Sequence, residues 1–259
     1  MVRKIIYTLT LVCFAAVAGE AQKFVEKPYN TWSREQAMEI LSNSGWGRTY
    51  QNLSAAAGSD MREAARAQSD TRLSGQERSR SERSGGTAPV YATLRSALPV
   101  RQALVRLNQI ASGYDKMDEK SKAKFDESMK GLLGCAICQT HYVVTMSQAS
   151  NSTGQFVEEG LFQGMTLAQM KDNIWLETDD GKRRSLVEFT APTKRGDSAI
   201  FFFARKDEQG NVFVTDSTKE VNVVFNGTFF TSSNRFSAYI PRRFDFKVSK
   251  LKVGSELMF

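Results

Sequence analysis

Apolar positions along the chain follow two different periods, and the change from one to the other divides it. Up to Leu133 the spacing is helical. Val100, Ala103, Leu104, Leu107 and Ile110 fall on one side of a helix. Pro99 suits its first turn, where a missing N–H is harmless, and Gly113 ends it. Asp118 is placed to cap a second helix with Ala123, Phe125, Met129, Leu132 and Leu133 on its buried side. The short connection between the two predicts an antiparallel helical hairpin. Further upstream, Ser33 and Gln36 form the S-x-x-Q pattern in which each side chain satisfies a free backbone N–H at a helix start. Met38, Ile40 and Leu41 supply its apolar side, and Ser44-Gly45 stops it. Trp32 and Trp46 flank this helix and are read as packing it onto the body. A tryptophan pair gripping a sugar ring is the functional alternative.

From His141 onward the period is that of extended chain. Tyr142 to Met146 reads as a strand, and Val90 to Leu94 as a short one before the hairpin. Phe156 to Phe162 and Leu167 to Met170 read as helical turns. Asn173 to Thr178 and Arg184 to Phe189 flank Asp179-Asp180-Gly181-Lys182, a hairpin signal because glycine accepts the positive φ of such turns. Ala199 to Ala204, Val212 to Thr215 and Val221 to Phe225 follow as strands. Arg243, Asp245 and Lys247 alternate with Phe244, Phe246 and Val248, so that strand has one wet and one buried face. Strands at this spacing suggest a sandwich or an open barrel.

One stretch fits neither period. Ser54 to Ala88 is rich in Ser, Arg, Gly, Gln, Glu and Ala, with six Arg and five Asp or Glu between Asp60 and Arg83. It cannot bury enough apolar area to offset its ordering entropy and reads as disordered. The expected class is α+β, an N-terminal helical section with a C-terminal antiparallel β-sandwich-like domain. The expected division is a signal peptide at 1–21, a short helical segment at 22–53, a mixed-charge linker at 54–88, a helical hairpin at 89–138 and a β-rich domain at 139–259.

The first residues carry the compartment. Arg3 and Lys4 give a positive start, Ile5 to Ala18 an apolar core, and Ala16-Val17-Ala18 or Gly19-Glu20-Ala21 a small-residue cleavage site. That core is shorter than the about 20 apolar residues a bilayer span needs, so removal is expected and no span remains. Cys13 lies inside the apolar core rather than at its end, which argues against lipid attachment. Leader removal lowers the formal net charge from +7 to +6. The excess is spread out, with a mild concentration at Arg242, Arg243, Lys247, Lys250 and Lys252. Outside the cytoplasm nucleic acid is not an expected partner, while an anionic envelope surface or acidic polysaccharide is compatible with the charge. The expected location is the periplasm or the cell exterior.

The only cluster suggesting chemistry is Cys135-Ala136-Ile137-Cys138 with His141, the single histidine of the chain. In an oxidising compartment Cys135 and Cys138 are expected to pair, a ring that stabilises by about 2 kcal/mol. Thioredoxin-type chemistry needs the motif to open a helix, which lowers the thiol pKa; here a helix precedes it. Cys135, Cys138 and His141 are also weak zinc candidates, three ligands with no fourth Cys or His to join them. Gln139 follows the second cysteine where covalent haem attachment needs histidine. No cofactor is expected, with zinc as the alternative. No serine lies in a G-x-S-x-G elbow. Glu158-Glu159 and Asp179-Asp180 are adjacent carboxylates, the latter better explained by a turn. Arg195-Gly196-Asp197 matches an adhesion tripeptide but reads as a loop. The closing Lys252-x-Gly254-x-x-Leu257-x-Phe259 has the form of an outer-membrane barrel's last strand. Strands this short and charged favour a soluble last strand instead.

Trp32 to Trp46, the run Ser96-Ala97-Leu98-Pro99-Val100-Arg101-Gln102-Ala103, and Phe125 to Val144 resemble exported hypothetical proteins of soil bacteria. The resemblance implies an exported α+β protein of bacterial origin with no assigned activity, so no catalytic residue carries over. The resulting expectation is an exported cell-envelope protein acting by non-enzymatic binding or scaffolding. A metal- or thiol-dependent activity at Cys135, Cys138 and His141 is the alternative.

Overall fold

A computed structural model describes residues 24–50, 89–148, 162–194, 197–232 and 240–259. The leader, the whole 54–88 stretch, Glu158-Glu159, the 156–161 turn and two residues of the tripeptide, Arg195 and Gly196, lie outside the described residues.

The fold combines helices with one antiparallel sheet of eight strands. In chain order these are β1 (Gly47–Tyr50), β2 (Val90–Leu94), β3 (His141–Gln148), β4 (Ile174–Thr178), β5 (Arg183–Thr190), β6 (Ala199–Ala204), β7 (Glu220–Phe225) and β8 (Arg243–Lys247). Their order across the sheet is β1-β2-β3-β6-β5-β4-β7-β8. β4, β5 and β6 form a meander inserted in reverse beside β3. The alternation in the sequence sets the faces: Leu94, Val144, Phe201, Phe203, Leu176, Val223 and Phe246 are almost fully buried and belong to one apolar cluster running from Phe24 to Phe259. Of the two arrangements the strand spacing allowed, the topology is that of a single curled sheet, nearly a barrel. Its outer strands approach each other where Arg48 of β1 donates from Nε to the carbonyl of Asp245 on β8 at 2.9 Å.

The three longer helices among the described residues precede β3, and two short ones follow it. α1 (Arg34–Ser42) carries the capping box expected at Ser33 and Gln36. α2 (Leu98–Ser112) ends at Gly113, whose φ of 71° needs no Cβ. α3 (Glu119–Gly134) is capped by Asp118. α4 (Leu167–Met170) and α5 (Gly227–Ser232) are short. Trp32 and Trp46 are 1% and 0% exposed. Their indole N–H groups donate to the carbonyls of Phe24 and Lys27 and of Met258, so both are core side chains.

Several expectations need correction. The 22–53 segment contains, after its helix, an edge strand the sequence reading did not assign: Gly47–Tyr50 pairs with β2. Tyr50, the last residue of β1, is the register partner of Val90, the first of β2. α3 buries none of its side chains completely; Phe125, Met129, Leu132 and Leu133 are half-buried, the helix being backed mainly by α2 and, at Phe125, by the Tyr114 ring 5.3 Å away. α2, by contrast, buries Arg101, Arg106 and Gln109 along with Val100, Ala103 and Val105. Val212–Thr215 is not a strand. Val212 makes one isolated bridge to Lys206, and the Val214 N–H is taken by the Tyr142 hydroxyl at 3.1 Å instead of a neighbouring strand.

Local signals held elsewhere. Gly181 has φ 81° in the turn between β4 and β5. Asp179 there accepts from the Lys219 N–H at 2.8 Å, and Asp180 pairs with Lys182 at 2.7 Å. The final residues form a two-stranded ribbon, β9 (Lys252–Val253) with β10 (Glu256–Leu257). No helix among the described residues is long and apolar enough to cross a membrane.

Candidate functional site

Cys135 and Cys138 are joined by a disulfide, with Cα atoms 5.3 Å apart. Cys135 ends α3 in the left-handed region at φ 43°, an uncommon conformation for a residue with a Cβ. A tight turn through Ala136–Gln139 then leads into β3. Cys138 is 5% exposed and packs against Val143 and Phe202. The bond therefore fastens the end of α3 to the outer face of β3 and β6. His141 opens β3, shares a hydrogen bond between its Nδ1 and the Thr140 hydroxyl at 2.8 Å, and stands edge-on to Phe202 at 6.5 Å. With both sulfurs bonded to each other, neither is a thiolate ligand. Among the described residues no group of three or more His, Cys, Asp or Glu is placed to hold a metal ion. The three residues singled out by the sequence are neighbours, but as placed they form a brace.

A different site emerges where α1, α2 and α3 meet the outer face of β2 and β3. There lies a cavity of about 560 Å³, inside the ~300–1,000 Å³ range of small-molecule sites. Strand alternation builds its floor. Val90, Ala92 and Leu94 point into the core, so Tyr91 and Thr93 point outward, paired in register with Ser147 and Thr145. The Thr93 and Thr145 hydroxyls bond to each other. Apolar walls come from Met38 and Leu41 of α1, Leu104 of α2 and Leu132 of α3. Leu132, one of the half-buried residues of α3, thus has a place as part of a cavity wall.

Arg95 lies at the end of β2 and lines this cavity. Burial lowers the pKa of its guanidinium, with no carboxylate opposing the shift. Burial similarly depresses Arg48, Arg101 and Arg205, but each of these guanidinium groups is held by backbone carbonyls, with the Arg101 Nε alone among their buried donors left unpartnered. Arg48 reaches the carbonyls of Asp245 and Ser44. Arg101 reaches those of Leu133 and Ser96. Arg205 reaches those of Cys138 and Phe259, with Tyr142 beneath it at 4.5 Å. Arg106 is also buried and forms a two-pronged pair with Asp115, both contacts at 3.1 Å. The Arg95 guanidinium makes no hydrogen bond, ion pair or ring contact among the described residues. A half-buried cation without a partner costs stability, and it lies in a cavity with room for an anion.

Sequence reasoning missed Arg95. The one available signal was a lone basic residue between the apolar Leu94 and the start of α2, with no acidic residue within ten positions after it. No protein-family model, curated protein or solved structure matches the chain.

Proposed function

We propose that the chain is an exported cell-envelope protein that works by binding rather than catalysis, and that its ligand site is the cavity between α1, α2, α3 and the β2–β3 face. The leader sequence Met1–Ala21 supports export. The disulfide fits the same setting, since such bonds persist where thiols oxidise. The observation that carries the binding reading is the unpartnered guanidinium of Arg95 in a cavity that also holds the buried, unpartnered amide nitrogen of Gln148.

The test uses anilinonaphthalene sulfonate, an anionic apolar dye, titrated into the purified oxidised protein. Saturable fluorescence at one dye per chain, abolished when Leu104→Trp or Met38→Trp fills the cavity, supports the reading. Absence of saturable binding, or binding indifferent to both substitutions, contradicts it.

A further inference from the structure

The cavity has a direction, and that direction specifies a ligand class. Arg95 marks one end. Tyr91 lies four residues back along β2, about 14 Å away at ~3.4 Å per residue. Between them the floor offers hydroxyls, but Thr93 and Thr145 are occupied with each other. The Asn108 amide, which also lines the cavity, donates to the Leu104 carbonyl. The Ser42 hydroxyl is likewise spent on the Met38 carbonyl. What remains is one cation at one end, the only charged side chain lining the cavity among the described residues, with the Gln148 amide nitrogen buried and unpartnered, the Tyr91, Ser147 and Ser198 hydroxyls, and four apolar walls, Met38, Leu41, Leu104 and Leu132, along the sides.

Resting on the binding reading above, we infer that the ligand is an amphiphile with a single carboxylate head held by Arg95 and an alkyl chain lying along the walls. One planar guanidinium matches one planar carboxylate in two parallel hydrogen bonds. A phosphate carries up to two charges and more acceptors than a single Arg can satisfy, and no second cation lines the cavity among the described residues. A sugar would set hydroxyls against Met38, Leu41, Leu104 and Leu132, which offer them no partner. The hydrocarbon chain gains by leaving water against Leu41, Leu104 and Leu132. The head replaces the solvent that Arg95 has lost.

Calorimetric titration of the oxidised protein with decanoate, decanol, acetate and decyl phosphate tests this. Decanoate binds one per chain and at least tenfold more tightly than decanol, and acetate binds too weakly to detect. Arg95→Gln weakens decanoate by roughly ten- to a hundredfold, the range of a lost charge-assisted hydrogen bond, and leaves decanol unchanged. Arg95→Lys, which keeps the charge but not the fork, falls between. Arg95→Gln leaves the thermal midpoint equal or higher, since it removes an uncompensated charge; a structural arginine would lower it. Equal binding of decanoate and decanol, or decanoate binding unmoved by Arg95→Gln, overturns the carboxylate assignment while the cavity reading stands. Tighter binding of decyl phosphate overturns it as well. Failure of both alkyl ligands to bind, or binding unmoved by Leu104→Trp, overturns the cavity reading itself.

Discussion

Arg48 on the first strand of the sheet donates from Nε to the backbone carbonyl of Asp245 on the last, at 2.9 Å, while its guanidinium lies 5.2 Å from the centre of the Phe246 ring. The two outer strands of the sheet are thus joined by a side chain, where a closed barrel would use backbone pairing. This protects an edge that would otherwise offer unpaired groups to another chain.

Arg48→Leu removes that joint. Loss of a hydrogen bond to a charged donor predicts destabilisation of about 1.5–3 kcal/mol, read by urea unfolding. Amide exchange should rise on β8 and remain unchanged at the centre of the sheet on β3 and β6. Unchanged stability and exchange would show that the seam needs no Arg48.

How much of this was legible in the sequence depends on range. The Ser33–Gln36 box, the Gly113 stop and the Asp179–Lys182 turn were readable because each is settled within a few residues. The alternating Phe244 and Phe246 gave the faces of β8 correctly, since side-chain direction in a strand is a local property. Neighbours are not local. Nothing in Gly47–Tyr50 announces that it pairs with β2, or that Arg48 meets Asp245 far along the chain. α3 shows the limit of periodicity: its apolar stripe is real, yet Phe125 and Leu132 stay half-buried because only the tertiary fold decides what covers a stripe. Arg95 was invisible for the same reason. A buried arginine is notable only through the acceptors it lacks, and those are a property of the assembled cavity.

The glycines on either side of Trp46 let the chain pass close to other backbone. A Cβ on Gly45 would lie 1.8 Å from the Lys250 carbonyl oxygen, and one on Gly47 2.4 Å from the Leu41 carbonyl. Gly45→Ala and Gly47→Ala should each cost more than about 3 kcal/mol, at or above the upper end of overpacking penalties. Gly131→Ala, in α3 with nothing within 4 Å, should instead stabilise by up to about 1 kcal/mol through helix propensity. Thermal unfolding of the three variants checks both directions. Equal effects would contradict the contacts described.

The disulfide closes a very short ring. Replacing Cys135 and Cys138 with Ser should cost about 2 kcal/mol by loop-closure entropy and leave a folded, cooperative protein. Global unfolding of the double variant under native conditions would show that the bond does more than fasten α3 to β3. The same expectation requires that the leaderless protein, isolated under oxidising conditions, titrate no thiol.

Several turn aspartates are held ionised. Asp180 is lowered to about 2 by its hydrogen bond to the Lys182 ammonium and then by the Thr178 hydroxyl. Backbone N–H donors from Lys219 and Lys194 lower Asp179 and Asp197 respectively. A carboxylate whose folded pKa lies below its unfolded value of 3.8 stabilises fully above that value, and loses its contribution as pH falls toward the folded pKa. The thermal midpoint should therefore hold from neutrality to about pH 4 and decline between about 4 and 2. Asp180→Asn should flatten the acid limb. A midpoint falling already between pH 7 and 5 would point to a group other than these carboxylates.

The central claim is that the Arg95 guanidinium is kept free for a ligand. Its most direct test follows the Nε–Hε resonance of Arg95, assigned by its disappearance in Arg95→Lys, through a titration with decanoate. The account predicts a saturable shift of that resonance, while those of Arg48 and Arg205, whose Nε groups donate to backbone carbonyls, stay in place. A resonance for Arg95 that does not move while decanoate binds would contradict it.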